Sequence, residues 1–135
     1  MPNASNYLKD KLARHVLLNT AYTSPPSVYM SLWTGNPTAA GTGPEIGSGV
    51  GYSRVLTPPA TWGYSGLFLG WYAAAQIQFG PSTAAWGTVT HYGIHDAASG
   101  GNLLIFGGFT AGTVIVANQL LRIRGGFLEV LIQFA

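Results

Sequence analysis

Four acids, three histidines and no cysteine are the groups from which this chain would have to build a reactive site. The acids are Asp10, Glu45, Asp96 and Glu129. Without cysteine there are no disulfides and no thiolate chemistry. A carboxylate pair for glycoside hydrolysis would have to be Asp96 with Glu129. Asp10 falls on the charged face of a helix and Glu45 in a glycine-rich loop. Asp96 opens a turn, where aspartate commonly bonds backbone amides two residues on, and that turn role is the expected one. His91 and His95 lie four apart, which on a strand puts them on one face roughly 13 Å apart. That is too far for two ligands of one ion, and no third ligand type is evident. On a symmetry axis either histidine could form a ring with its copies; otherwise each is a hydrogen-bonded or interface histidine. Gly63-Tyr64-Ser65-Gly66 lacks the spacing of a nucleophile elbow. Gly41 to Gly51 is rich in glycine, but no Gly-Lys-Ser/Thr follows and no strand–helix context surrounds it, so it is not a phosphate cradle. No residue is assigned to catalysis, to a cofactor or to a metal.

The elements that would position these groups are mostly strands. The clearest unit is Trp86 to Phe109, two strands joined by a turn. From Thr88 the first strand alternates, with Thr88, Thr90, Tyr92 and Ile94 on one face and Val89, His91, Gly93 and His95 on the other. Leu103 to Phe109 is apolar on both faces. Between them Asp96 and Asn102 can bond nearby backbone, and Gly100 and Gly101 can take positive φ. Before this unit the spacing predicts a helix over about residues 4–18. Its stripe is Tyr7, Leu8, Leu12, His15 and Val16, and Asn3 or Ser5 is its N-cap. Thr23 to Pro26 is a stiff connector. Val28 to Trp33 reads as a strand with Val28, Met30 and Leu32 on one face, and residues 35–51 as a long loop. Tyr52 to Thr57 is a short strand. Gly66 to Tyr72 is apolar throughout. In the strand Ala73 to Phe79, Ala73, Ala75, Ile77 and Phe79 point inward. Thr113 to Ala117, Leu120 to Arg124 and Phe127 to Phe134 complete the set, with Leu128, Val130, Ile132 and Phe134 lining one face of the last. About eight short strands in one domain, with the sheets over about 27–135, predict an antiparallel β-sandwich or jelly roll with one N-terminal helix.

Charge is the unusual part of the composition. Lys, Arg, Asp and Glu make up 7% of the residues, against about 25% in an average domain. Disordered chains are poor in aromatic residues, and this one is not. Cover by other protein chains, including copies of itself, accounts for a surface with so little charge. The basic residues Lys9, Lys11 and Arg14, with Arg122 and Arg124, are too few for a phosphate-binding stripe, so no nucleic acid partner is expected. The apolar runs fall short of a membrane span and no signal-like opening is present, so the expectation is a soluble protein made without secretion. Tyr7, Leu8, Leu12, Tyr29, Trp33, Trp62, Trp71 and Tyr72 are the candidate interface residues, since aromatic anchors concentrate at protein contacts. Aromatic residues could also stack sugars; the contact role is preferred because it explains the missing charge as well.

Three segments carry a family resemblance. They are Leu17-Leu-Asn-Thr-Ala-Tyr-Thr-Ser-Pro-Pro-Ser-Val-Tyr-Met-Ser-Leu-Trp-Thr34 with Asn36-Pro-Thr, then Gly49-Val-Gly-Tyr-Ser-Arg-Val55, and Trp86 to Leu104. Together they resemble small tailed-bacteriophage virion proteins of the kind called tail fibre proteins, over essentially the whole chain. Residues 57 to 72, with Pro58-Pro59 and the apolar run, depart from that pattern. The resemblance implies a non-enzymatic virion structural protein, assembled in the bacterial cytoplasm. Its partners would be the major capsid protein or tail proteins, and copies of itself. A capsid decoration or cement role is the leading expectation. A tail fibre or tail-tip module, with a host surface glycan as ligand, is the second. A small glycan hydrolase using Asp96 and Glu129 is the third.

Overall fold

A computed structural model of the chain describes residues 2–65, 70–126 and 129–130. The fold is mainly β, in antiparallel sheets with one helix near the N-terminus. After the two-residue strand β1 (Asn3–Ala4) comes helix α1 (Asn6–Leu17). Ser5 is its N-cap, the side-chain oxygen accepting from the Leu8 amide. Strands β2 (Val28–Trp33) and β3 (Val55–Thr57) follow, then a turn of 3-10 helix at Pro59–Thr61. Strands β4 (Trp62–Ser65), β5 (Gly70–Ala73) and β6 (Ile77–Phe79) lead into the central hairpin, β7 (Gly87–His95) and β8 (Leu103–Ile115). Strands β9 (Leu121–Ile123) and β10 (Glu129–Val130) close the described chain.

Five strands form the main sheet in the order β1-β8-β7-β2-β3; β10-β5-β4 form a second sheet and β6-β9 a third. Register sorts the faces of the main sheet. Met30 lies opposite Ile94 and Leu32 opposite Tyr92, whereas Ser31 lies opposite Gly93 and Tyr29 opposite His95. The Met30 face meets Ala73, Ile77, Phe79 and Ile123 from the other two sheets, with Trp86 and Ile46 completing the core. A smaller cluster joins Leu8 of α1 to Ala4 and Leu104.

Several sequence expectations needed correction. The alternation from Thr88 does not run through β7, because a bulge intervenes. One residue, Thr90, stands opposite four of β8, Phe109 to Gly112, as the register passes from Val89↔Thr113 to His91↔Gly108. A bulge re-aims every side chain beyond it, so Val89 joins Tyr92 and Ile94 in the core. Leu103 to Phe109 and Thr113 to Ile115 are one strand, not two. Ala73 to Phe79 is broken at Ala74–Gln76, its halves pair in different sheets, and Ala75 is exposed. The predicted helical stripe also fails at its far end. Val16, Leu17 and Leu18 are 76%, 78% and 65% exposed, and only Leu8 of the helix is buried. The expectations for Gly66 to Leu69 and for Leu128, Ile132 and Phe134 lie outside the described residues.

The turn of the central hairpin forms as its residue types require. The Asp96 carboxylate accepts from the Asn102 backbone amide at 2.7 Å and from the Asn102 side-chain amide at 2.9 Å. Gly100 and Gly101 take φ of 61° and 68°, and a Cβ on Gly101 would lie 2.5 Å from Asp96 Oδ1. Asp96→Ala should cost about 1–2 kcal/mol, read as a lower urea midpoint with an unchanged slope.

Candidate functional site: an apolar groove and a polar cleft

Two concave features stand out among the described residues. The first is an apolar groove of about 220 Å³ lined by Leu8, Val28, Trp62, Trp71, Ile94, Leu104 and Ile105. It forms where the first turns of α1, the hairpin strands and the β4–β5 pair converge. Strand geometry sets its tryptophans: Trp62 pairs with Ala73, and Trp71 with Tyr64. The Tyr64 and Trp71 rings meet edge to face, 5.7 Å between centroids, and each side chain is 54% exposed. Trp62 Nε1 is buried without a hydrogen-bond partner.

Three of the eight candidate interface residues, Leu8, Trp62 and Trp71, are therefore brought together at this groove. Tyr7 and Leu12 pack beside Leu8 on the same helix. Tyr72 stands on β5 next to Trp71, its ring within 3.2 Å of where a Cβ on Gly63 would be. Tyr29 and Trp33 lie apart from the groove on β2. Leu8 and Trp33 are 7% and 3% exposed, so the fold itself already covers them. Leu8 lies at the groove floor, and Trp33 borders a separate polar cleft.

The second feature is a polar cleft of about 410 Å³, bordered by the start of α1, Trp33, Glu45, Arg54, His95 and the 100–103 end of the hairpin turn. Its chemistry rests on a network across the 35–51 loop. Arg54 donates from Nε to Glu45 Oε1 at 2.9 Å and from Nη2 to Glu45 Oε2 at 2.8 Å. Its remaining nitrogen, Nη1, donates to the carbonyls of Ala97 at 3.0 Å and Gly100 at 2.7 Å. The Tyr52 hydroxyl donates to Glu45 Oε1 at 2.8 Å and accepts from the Leu32 amide at 3.0 Å. Burial alone would push the Glu45 carboxyl up; the hydrogen bonds from Arg54 and Tyr52 and the guanidinium charge outweigh it and hold the carboxyl below its ordinary value. Burial pushes the Tyr52 hydroxyl well above its ordinary range. Glu45 lies in the glycine-rich loop as expected, but as a half-buried partner, and Ile46 beside it is core.

His95 sits beneath this network at 4% exposure, stacked on Trp33 with 5° between ring planes. Its Nε2 lies 2.9 Å from Ser31 Oγ, which accepts from Trp33 Nε1 at 2.7 Å. Ser31 is fully buried. Donation of its hydroxyl proton to Nε2 satisfies all three groups, which puts the ring proton on Nδ1. Nδ1 is buried without a partner. Burial, then the neighbouring Arg54 charge, brings the His95 pKa down to about 4, against the smaller opposing pull of Glu45 and Asp96. Gly93 permits the packing, since a Cβ there would stand 2.7 Å from Ser31 Oγ. His91 is partly exposed and its Nδ1 lies 2.8 Å from Thr90 Oγ1. Among the described residues no group of three or more His, Cys, Asp or Glu could hold a metal ion.

The sequence missed Glu45, Tyr52 and Arg54 as a unit. They lie within ten residues, but nothing in that glycine-rich spacing announces a fold that turns them toward one another. The Asp96–Glu129 pairing needed for hydrolysis finds Asp96 engaged by Asn102 in the main sheet's hairpin turn. The Glu129 backbone pairs with Tyr72 in the second sheet. No helix among the described residues is long and apolar enough to cross a membrane.

The described residues form a β-fold with an open tryptophan-walled groove, and the class of the protein, a phage structural protein of the fibre kind, follows from its family. Residues 3–130 match the family model described as Podophage GP4 fiber I protein gp80, and the chain belongs to that family. No curated protein matches the chain.

Proposed function

We propose that this chain is a fibre subunit of a phage virion that works by protein–protein contact, with the Leu8–Trp62–Trp71 groove as its principal contact surface. The observation that carries this reading is the groove itself: an open, almost wholly apolar pit walled by two tryptophans. It occurs in a chain with six basic and four acidic residues. Buried aromatic anchors in pockets dominate the energetics of protein contacts, and such a surface is costly to leave in water. The family description, fiber I protein, favours a place among the fibres over one on the capsid shell.

A capsid decoration or cement role is the second reading, favoured by the low charge, which suits a surface bound down across neighbouring shell proteins. Copy number per virion, by quantitative mass spectrometry of purified particles, separates the two. A few to a few tens of copies is the expected result. Hundreds of copies, close to the number of major shell subunits, would overturn the fibre reading in favour of decoration.

A further inference from the structure

Helix α1 is amphipathic only over its first half. Its last turn carries three consecutive aliphatic side chains, Val16, Leu17 and Leu18, standing in solvent at 76%, 78% and 65% exposure. The connector that follows is mostly exposed as well, with Tyr22, Pro25 and Ser27 partly buried. A helix end of this kind projects as an apolar knob. The groove lies at the other end of the same helix, where Leu8 is part of its lining. Leu8 and Leu17 are nine residues apart, about 14 Å along a rigid helix, so a chain cannot place its own knob in its own groove.

We infer that the Val16–Leu18 knob of one copy seats in the Leu8–Trp62–Trp71 groove of the next, a head-to-tail contact between copies of this chain. The knob brings apolar side chains to an almost wholly apolar pit, and the buried Trp62 Nε1 is closed off from it and takes no part. Val16, Leu17 and Leu18 carry no charge that would have to be stripped of water.

Area sets the strength. Three side chains exposed to this extent offer roughly 200 Å² of apolar surface, whereas an ordinary stable interface takes about 800 Å² from each partner. One contact is therefore weak. A chain that uses its knob and its groove at once is held twice, which favours a closed ring over an isolated pair. This contact deepens the groove reading given above and names its partner as another copy; it does not depend on whether the virion carries the protein on fibres or shell.

Light-scattering mass across a concentration series tests it on the full chain. The wild type should rise above the 14.2 kDa of one chain, while Leu17→Asp and Val16→Asp should stay at that mass with unchanged circular dichroism and melting. These two positions make little contact within the fold, so loss of folding does not confuse the result. The absence of native cysteine permits a second test, an oxidised equal mixture of Leu17→Cys chains and Val28→Cys chains. Disulfides joining 17 to 28 should exceed the statistical share severalfold. A wild type that stays at one-chain mass overturns the inference. So do Leu17→Asp and Val16→Asp variants that associate like the wild type, and disulfides in statistical proportion. Failure here with tens of copies per virion would leave the fibre assignment standing and remove only the self-contact.

Discussion

Replacing Arg54 by methionine should destabilise the fold by about 3 kcal/mol, the cost of stranding a half-buried charge. Arg54 and Glu45 form an ion pair of low exposure, with side chains 10% and 22% exposed. Arg14 with Asp10, by contrast, lies on the helix surface at 54% and 55%, where such a pair contributes little. Removing the guanidinium leaves the Glu45 carboxylate with only the Tyr52 hydroxyl and frees the carbonyls of Ala97 and Gly100. The double variant Arg54→Met with Glu45→Gln should recover part of the loss, because the stranded charge is gone. Urea midpoints at pH 7 for the wild type, the single variant and the double variant decide the matter. A double variant as unstable as the single one would assign the loss to the two turn carbonyls instead of the charge.

The second large effect is a fall in stability on mild acidification, set by His95. In the unfolded chain its pKa is about 6.5, and in the fold it is about 4. Between these values the unfolded chain takes up a proton that the folded chain refuses. Stability is therefore full above pH 6.5 and falls as the pH drops toward 4, by as much as about 3 kcal/mol. Below that window Glu45 acts in the same sense. Its folded pKa is lowered, so its contribution is present above the ordinary carboxylate value and lost as the pH falls through the folded one. His95→Gln should flatten the stability profile between pH 6.5 and 4 and leave the more acidic limb in place. Melting temperatures at half-unit pH intervals would show this, and an unchanged slope in His95→Gln would rule out the histidine as its source.

How far these features were legible in the sequence depended on whether the signal was local. The 96–102 turn was, because Asp96, Asn102 and the two glycines each answer a backbone need within a few residues. Strand β2 was too, since Met30 and Leu32 alternate with Ser31 and Trp33 and nothing interrupts them. The β7 alternation misled because a bulge leaves no mark on residue types; Thr90 looks like any other strand threonine. Strand β8 was divided between Phe109 and Thr113, and the residues between them are the ones accommodated within the bulge. The Tyr7–Leu8–Leu12–His15–Val16 stripe satisfied helical periodicity, yet at its far end Val16 has no surface of its own chain to meet. Periodicity reports that a face is apolar, not what lies against it. Trp33 and Leu8 were recognised as apolar anchors, but which anchors face outward is a tertiary matter. The Glu45–Tyr52–Arg54 network was invisible for the same reason, since its geometry arises only when the loop folds over β2 and reaches the hairpin turn.

The bulge in β8 also bears on how such a chain survives at high concentration. Beyond Ile105–Phe106, where β1 pairs with it, β8 has no outer neighbour among the described residues. Residues 107–115 contain no lysine, glutamate or proline, the usual guards of an open strand. A straight strand of that composition would be a template on which another molecule could add, and fibrous aggregation would follow. Four residues crowded against Thr90 bend the backbone midway, so that no continuous ladder of amides and carbonyls is offered. Crowded copies can then meet by their side chains without fusing by their backbones.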